Sequence, residues 1–381
     1  MSSVNLHLIY DLMYLVKCAI EGIVPDSVRI ASLDLDALYQ LAENHNMTAV
    51  TAMALESAGI RDETFLEARG KAIRKAVCME TDMHLLTAQL EADGIWYMPL
   101  KGAVLKDYYP KLGMRQMSDY DILYDSSFAD RVREILTGLG FHVDEYNMHN
   151  VDSYEKPPVS RFEMHRRLFS PYLDDRLYHY YENVRDRLLP DEGTEYALHF
   201  SPEDFYVYML AHEYKHYITG GNGLRFLMDT FVFLRRFGET LDTRYIDAEL
   251  EKLGITEFAE HNLHLVRHLF DGAPLLPEEE DMLEYMAEAG TFGTVNNAVS
   301  NRVEALGGGM RGKLRFAKER ILIPMKTLES AYPFFYRHKA LIPFLYPYRA
   351  WKLFFRSREK AAAELKALLR TEGKKKKQNK V

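Results

Sequence analysis

Asp119 and Asp121 stand one residue apart at the head of the apolar run Tyr120-Asp-Ile-Leu-Tyr124. On a strand, residues i and i+2 share a face, so both carboxylates project together while Tyr120 and Ile122 point the other way. Carboxylates held this close repel each other unless a cation lies between them. Their hard oxygen donors favour Mg²⁺, or Mn²⁺, over soft-ligand metals. Upstream, Lys101-Gly102 follows a short apolar run and opens a helix-like stretch whose backbone N–H groups suit phosphate. The chemistry this pattern serves is metal-assisted phosphoryl or nucleotidyl transfer.

A third carboxylate comes from farther along. After Pro157-Pro158, the segment Ser160-Arg-Phe-Glu-Met-His-Arg166 alternates, with Phe162 and Met164 on one face and Arg161, Glu163 and His165 on the other. Glu163 is therefore expected beside the aspartate pair. Three carboxylates from two strands suffice for two Mg²⁺ ions, or for one ion and a general base acting on an attacking hydroxyl.

The elements that must position these residues are legible as periods. Residues 5–92 carry apolar positions at three-to-four spacing, predicting helices from Leu6, Leu35 and Ala49 and a long one over Thr64–Leu90. After Asp93-Gly94 the pattern changes to strands at Ile95–Leu100, Tyr120–Tyr124, Phe141–Tyr146 and Ser160–Arg166, with helices at Ala103–Tyr109 and Phe128–Leu139. From Pro202 the chain reads as helical again, to Tyr217, over Leu224–Phe237, and at 242–253, 255–270, 277–289, 313–323 and 347–370. The boundaries expected are a helical region over 1–92, an α/β core over 93–198, a helical domain over 199–372 and a basic tail over 373–381.

Composition narrows the class. Of 381 residues, 47% are hydrophobic and 27% charged, ordinary for a globular protein. Cys18 and Cys78 are the sole cysteines, which excludes a disulfide framework or Cys-based zinc site and fits a reducing cytoplasm. The N-terminal stretch lacks a basic leader and reads as an amphipathic helix, and no apolar run is long enough to cross a membrane. From Gly309 onward 20 Lys/Arg face 5 Asp/Glu, a net of +15, whereas the preceding residues carry −23. Within that basic stretch, Tyr332 to Arg356 interleaves aromatics with cations. It reads either as helix packed on the acidic body or as a peripheral contact for an anionic surface through residues 309–381.

The run LKGAVLKDYYPKLGMRQMSDYDILY resembles the signature of the uncharacterised nucleotidyltransferase family, within the DNA polymerase beta superfamily. Phe162-Glu-Met-His165, Pro202 to His212, Leu224-Arg-Phe-Leu-Met-Asp229 and Gly290-Thr-Phe-Gly-Thr are similar to it more loosely. The resemblance implies an α+β fold, with a minimal nucleotidyltransferase mixed sheet flanked by N-terminal and C-terminal helical regions. It implies Asp119 and Asp121 as ligands of Mg²⁺ on a nucleoside triphosphate, with Glu163 binding a second metal or activating the acceptor. Gly102 and Ala103 would offer backbone N–H groups to the β- and γ-phosphates, and Lys101 and Arg115 would add positive charge. For Lys101 and Arg115 an ion pair closing the insert onto the sheet is an equal reading. His165 would be a partner of Glu163 or a plain strand residue. The insert between Gly102 and Asp119 is longer than in the broader superfamily. The acceptor, whether small molecule, protein or nucleic acid, is not specified by any motif.

Two other readings compete. His212-Glu213-Tyr214-Lys215-His216 is a literal H-E-x-x-H, which on a helix sets both histidines on one face for Zn²⁺ with Glu213 as base. Only Glu239 and Glu249 offer a third ligand by distance along the chain, so the histidines are expected to line the cleft or pack in the core. The other alternative is a nucleotide-binding protein without catalysis.

Overall fold

The computed structural model of the chain describes residues 6–147, 150–171, 174–323, 328, 332–356 and 358–371. Five helices lead: α1 (Leu6–Glu21), α2 (Ser27–Ala31), α3 (Leu35–Asn44), α4 (Thr48–Ser57) and the 30-residue α5 (Glu63–Ala92). Asp26, Asp34 and Asp62 start three of them, each side chain accepting a first-turn backbone N–H. Gly94, at φ +68°, turns the chain out of α5 into the sheet.

The sheet region runs β1 (Tyr97–Pro99), α6 (Gly102–Leu105), β2 (Tyr120–Tyr124), α7 (Ala129–Gly138), β3 (His142–Glu145), β4 (Val151–Lys156) and β5 (Ser160–His165). Its strand order is β1-β2-β5-β4-β3, with β2 and β5 parallel and the other pairs antiparallel. The fold is thus α+β around a five-stranded mixed sheet, as expected. Strand β4 escaped the period reading because Asp152 and Ser153 are buried in it, and Asp152 is paired with Arg166 at 2.8 Å. A buried ion pair breaks the apolar alternation by which a strand is recognised.

Each face of the sheet has its own cover. Tyr120, Ile122, Phe162 and Met164 pack on Leu86 and Leu90 of α5 and on Val132 and Leu136 of α7. The opposite face gives Met98 and Leu123 to a core with Val207, Leu210 and Ala211. Those three lie on α9 (Pro202–Thr219), which follows α8 (Asp175–Tyr180) and the short pair β6 (Leu189–Pro190) and β7 (Leu198–His199). Because Asp121 shares the parity of Leu123, its carboxylate points toward α9.

The remaining helices include α10 (Arg225–Phe237), α11 (Thr243–Leu253), α12 (Thr256–Asp271), α13 (Pro277–Ala289), α14 (Val295–Ala305) and α15 (Gly309–Ile321). The expected helix over 347–370 is observed as Ile342–Arg356 and Arg358–Arg370. Helix α14 was not expected, since its Asn-rich sequence buries just Val299 and Val303. Leu12 and Val16 of α1 and Val50 of α4 share one core with Leu227 and Phe231 of α10, Leu265 of α12 and Leu283 of α13. The N-terminal helices therefore bury their apolar face against the C-terminal ones. The basic tail 373–381 lies outside the described residues. Among the described residues, no helix is long and apolar enough to cross a membrane.

Candidate active site

Parallel register sets the centre of the site. Asp121 on β2 lies directly opposite Glu163 on β5, and Leu123 lies opposite His165. Adjacent strands are about 4.8 Å apart, so the two carboxylates meet on one face. Among the described residues, Asp121, Glu163 and His165 form the one group of three that offers ligand atoms within 4.8 Å of one another. Asp119, one residue ahead of β2, lines the same cleft.

Charges fill this space. Lys101 Nζ donates to Asp121 Oδ1 at 2.8 Å, and His165 Nε2 donates to the same oxygen at 2.7 Å. His165 lies 4.0 Å from Glu163 Oε2, so its partner is Asp121 and not Glu163 as expected from the strand pattern. The reason is that the Asp121 side chain leans across the strand pair toward the next residue of its own face.

Burial raises the Asp121 carboxyl, but Lys101 and His165 outweigh it and hold the group well below the usual carboxylate range. Asp119 is raised, first by burial and then by Asp121. Glu163 is pushed up to about 7 by burial and by the two aspartates. Burial lowers His165, against the opposing pull of Asp121.

The Lys-Gly turn is built by contact. Lys101 has φ +46°, a left-handed backbone that a residue with a side chain rarely adopts. A Cβ on Gly102 would run into the Arg115 guanidinium and lie 2.8 Å from the Met117 methyl. Ala103 N–H donates to Leu100 O at 3.0 Å, so it is engaged in closing the turn and is not offered to the cleft. Of the two N–H groups expected at phosphate, Ala103's is thereby withdrawn.

Of the two readings of Arg115, the ion pair is the one observed. Its Nε and Nη2 bind Asp229 Oδ1 and Oδ2, both at 2.8 Å, and its Nη1 contacts Met117 Sδ at 2.8 Å. It closes the insert onto α10 and not onto the sheet. Tyr109 Oη donates to Asp229 Oδ1 at 2.6 Å. Gln116 Oε1 accepts from Ala49 N–H at 2.9 Å and Thr48 Oγ1 at 3.0 Å, capping α4, whose own N-cap residue Met47 has no side-chain oxygen to offer. Gly113 packs on Ile73 of α5. The long insert is a tie between the sheet, α4, α5 and α10.

The far wall comes from α9 and α10, which bring His212, His216, Arg225 and Phe226 to the cleft. Arg225 was missed by sequence reasoning. The signal was the spacing Arg225–Asp229, which at i and i+4 puts both on one helix face. Its Nη1 donates to Gln116 O at 2.9 Å, while its Nε is buried without a partner. Burial and the neighbouring Arg115 lower Arg225 to about 10. Lys215, beside these groups, is lowered to about 8 by burial and by Lys101.

The H-E-x-x-H motif divides across α9. His212 Nε2 and His216 Nε2 are 3.0 Å apart, and burial holds both far below their usual range. Glu213 turns into the core, where Asn222 and Asn262 donate to its Oε1 at 2.9 and 2.8 Å. Burial pushes it up to about 8, so at neutral pH it is a neutral acid with no access to the histidine pair. Glu249 is held by Arg187 at 3.2 Å, and Glu239 is exposed beyond the end of α10. The zinc reading loses its base and its third ligand.

A mixed sheet sets carboxylates from two paired strands against a helical wall bearing Arg225 and two histidines, an α+β arrangement around one charged cleft. Residues 31–271 match the family described as "Uncharacterised nucleotidyltransferase", and the chain belongs to that family. The match starts at the end of α2 and runs through α12, taking in the whole sheet. Among solved structures, the chain is similar to an antigenic nucleotidyltransferase-like protein from Paracoccidioides brasiliensis, with 13% identity and a TM-score of 0.31 over 52% of this chain and 94% of that one. No curated protein matches it.

Proposed function

We propose that this chain moves a nucleoside monophosphate from an NTP to a hydroxyl or phosphate acceptor, with Mg²⁺ or Mn²⁺ as cofactor. The observation that carries the reading is the Asp121–Glu163 register, with Asp119 in the same cleft. The donor set fits a divalent cation. Two of the three carboxylates are raised by burial and by their neighbours, and Asp121 already draws a cation, Lys101, to 2.8 Å. Asp119, Asp121 and Glu163 would hold the ion, which when bound offsets the charge developing on the transferred phosphate.

The chain's own groups have separate tasks. Arg225, with a buried Nε lacking a partner, and Lys101 take the phosphate oxygens. Gly102 lines the cleft beside Lys101, and its backbone N–H at the start of α6 is the turn's donor for phosphate. The acceptor oxygen bonds to the α-phosphorus as the bond to the β-phosphate oxygen breaks, and pyrophosphate leaves. Glu163, held near neutrality, takes the acceptor's proton.

The test is Asp121→Asn. Incubation with labelled NTPs and Mg²⁺ is expected to give labelled product with the wild type and none with the variant. Mg²⁺-dependent NTP binding is expected to vanish while circular dichroism stays unchanged. Unaltered NTP binding in Asp121→Asn would overturn the site assignment.

A further inference from the structure

At the mouth of the cleft one large apolar side chain is left bare. Phe292 is 79% exposed, yet it lines the same cleft as Asp121 and Glu163. Among the described residues no aromatic ring is paired with it. An exposed aromatic on a loose loop would mean little, but this loop is fastened on both sides. Thr291 N–H donates to Asn44 O at 2.9 Å, with Thr291 Oγ1 on the same oxygen at 3.2 Å, and Thr294 N–H donates to Gly220 O at 2.8 Å.

The glycines flanking Phe292 explain how the loop seats so closely. Gly290 and Gly293 have φ of +64° and +70°. A Cβ on Gly293 would lie 2.5 Å from Gly220 O, and one on Gly290 would lie 3.1 Å from Asn44 O. Only glycine allows both the left-handed turn and this approach. The loop is a rigid mount, and what it mounts is a ring left in solvent. The loop, read from the sequence as loosely similar to the family, lies beyond residues 31–271 that match it.

We infer that Phe292 is the stacking platform for the nucleobase of the bound nucleotide. The inference rests on the nucleotidyl-transfer reading above and names the subsite that reading leaves open. The cleft holds about 260 Å³. Pockets that swallow a drug-sized ligand hold about 300–1,000 Å³, so a nucleoside triphosphate cannot be wholly enclosed here. Its phosphates belong at the charged floor with Lys101 and Arg225, which leaves the base at the rim. There the platform is Phe292, and Phe226 and His216, whose rings are 6.2 Å apart, line the same cleft. Every base has a π-face, so such a platform is tolerant of base identity and favours purines through their larger contact.

Removing the base from the ligand separates this subsite from the phosphate floor. Full-length protein with Mg²⁺ is titrated with ATP and, separately, with inorganic tripolyphosphate. Phe292→Ala is expected to weaken ATP about tenfold and to leave tripolyphosphate unchanged, and Phe292→Tyr is expected to restore ATP binding. An unchanged ATP affinity in Phe292→Ala overturns the inference alone. So does an equal loss for both ligands, which would make the loop a support for the phosphate floor. Failure of the wild type to bind either ligand overturns the nucleotide reading, and this inference with it.

Discussion

Arg115 meets Asp229 edge to edge, two parallel N–H···O bonds at 2.8 Å, with Tyr109 closing the same carboxylate from the side. Both partners are buried, and they join the insert after the Lys-Gly turn to helix α10. Removing one member leaves the other as an unpaired buried charge, which costs about 3–5 kcal/mol. Asp229→Ala is therefore expected to lower the unfolding free energy by that amount, read as a lower urea midpoint at unchanged m-value. Replacing both partners with apolar residues of similar volume, Arg115→Met with Asp229→Leu, is expected to recover most of the loss. A single variant as stable as the wild type would mean that the pair does not close the insert.

Gly102 and Gly70 give opposite expectations for the same change. Gly70 lies inside α5, where an added Cβ meets only the tip of the flexible Arg74 side chain at 3.2 Å. Gly70→Ala should stabilise by roughly 0.5–1 kcal/mol through helix propensity. Gly102→Ala drives a methyl into the Arg115 guanidinium that Asp229 holds in place. It should cost about 1–3 kcal/mol by overpacking and also impair NTP binding. Thermal melts of the two variants, side by side, decide the matter.

What the sequence made legible were the features with short range or strict period. Asp119-Tyr-Asp121 and the alternation from Ser160 to His165 each announced a face, and parallel register then set Asp121 against Glu163. The hydrogen bond of His165 to Asp121 was not legible, because it depends on how two side chains lean across neighbouring strands. Nor was the partner of Arg115, since Asp229 lies 114 residues on, although an ion pair was one of its two readings. Strand β4 was hidden by the buried Asp152. Glu213 misled in the other direction. A motif fixes which residues share a helix face, but not which of them the tertiary fold buries.

Glu213 also gives a pH signature. Its carboxyl is raised to about 8 in the folded chain, by burial foremost, against an ordinary value near 4.5. Between those values the folded state binds the proton and the unfolded state does not. Stability from this group is complete below about pH 4.5 and is lost as pH rises through 8. Glu213→Gln keeps an acceptor for Asn222 and Asn262 while removing the titration. Urea melts from pH 5 to 9 should show a decline for the wild type that is flattened in Glu213→Gln. Parallel slopes would place the titrating group elsewhere.

Lys101 supplies a prediction with two signs. Its Nζ is 2.8 Å from Asp121 Oδ1, in the region where the carboxylates would hold a divalent ion. A bound ion and the ammonium therefore compete for one oxygen. With nucleotide present the competition ends, because Lys101 has phosphate oxygens to turn to. Lys101→Met removes the competitor, so Mg²⁺ alone should bind more tightly and raise the melting temperature more than it does in the wild type. The same variant lacks a phosphate contact, so Mg²⁺–NTP should bind more weakly. In the absence of any cation it should be less stable than the wild type, since Asp119, Asp121 and Glu163 then face one another without the ammonium that offsets them. Thermal shifts with buffer, Mg²⁺ and Mg²⁺–ATP read all three effects in one experiment. If Mg²⁺ and Mg²⁺–ATP change in the same direction, Lys101 does not exchange between the carboxylate and the phosphate.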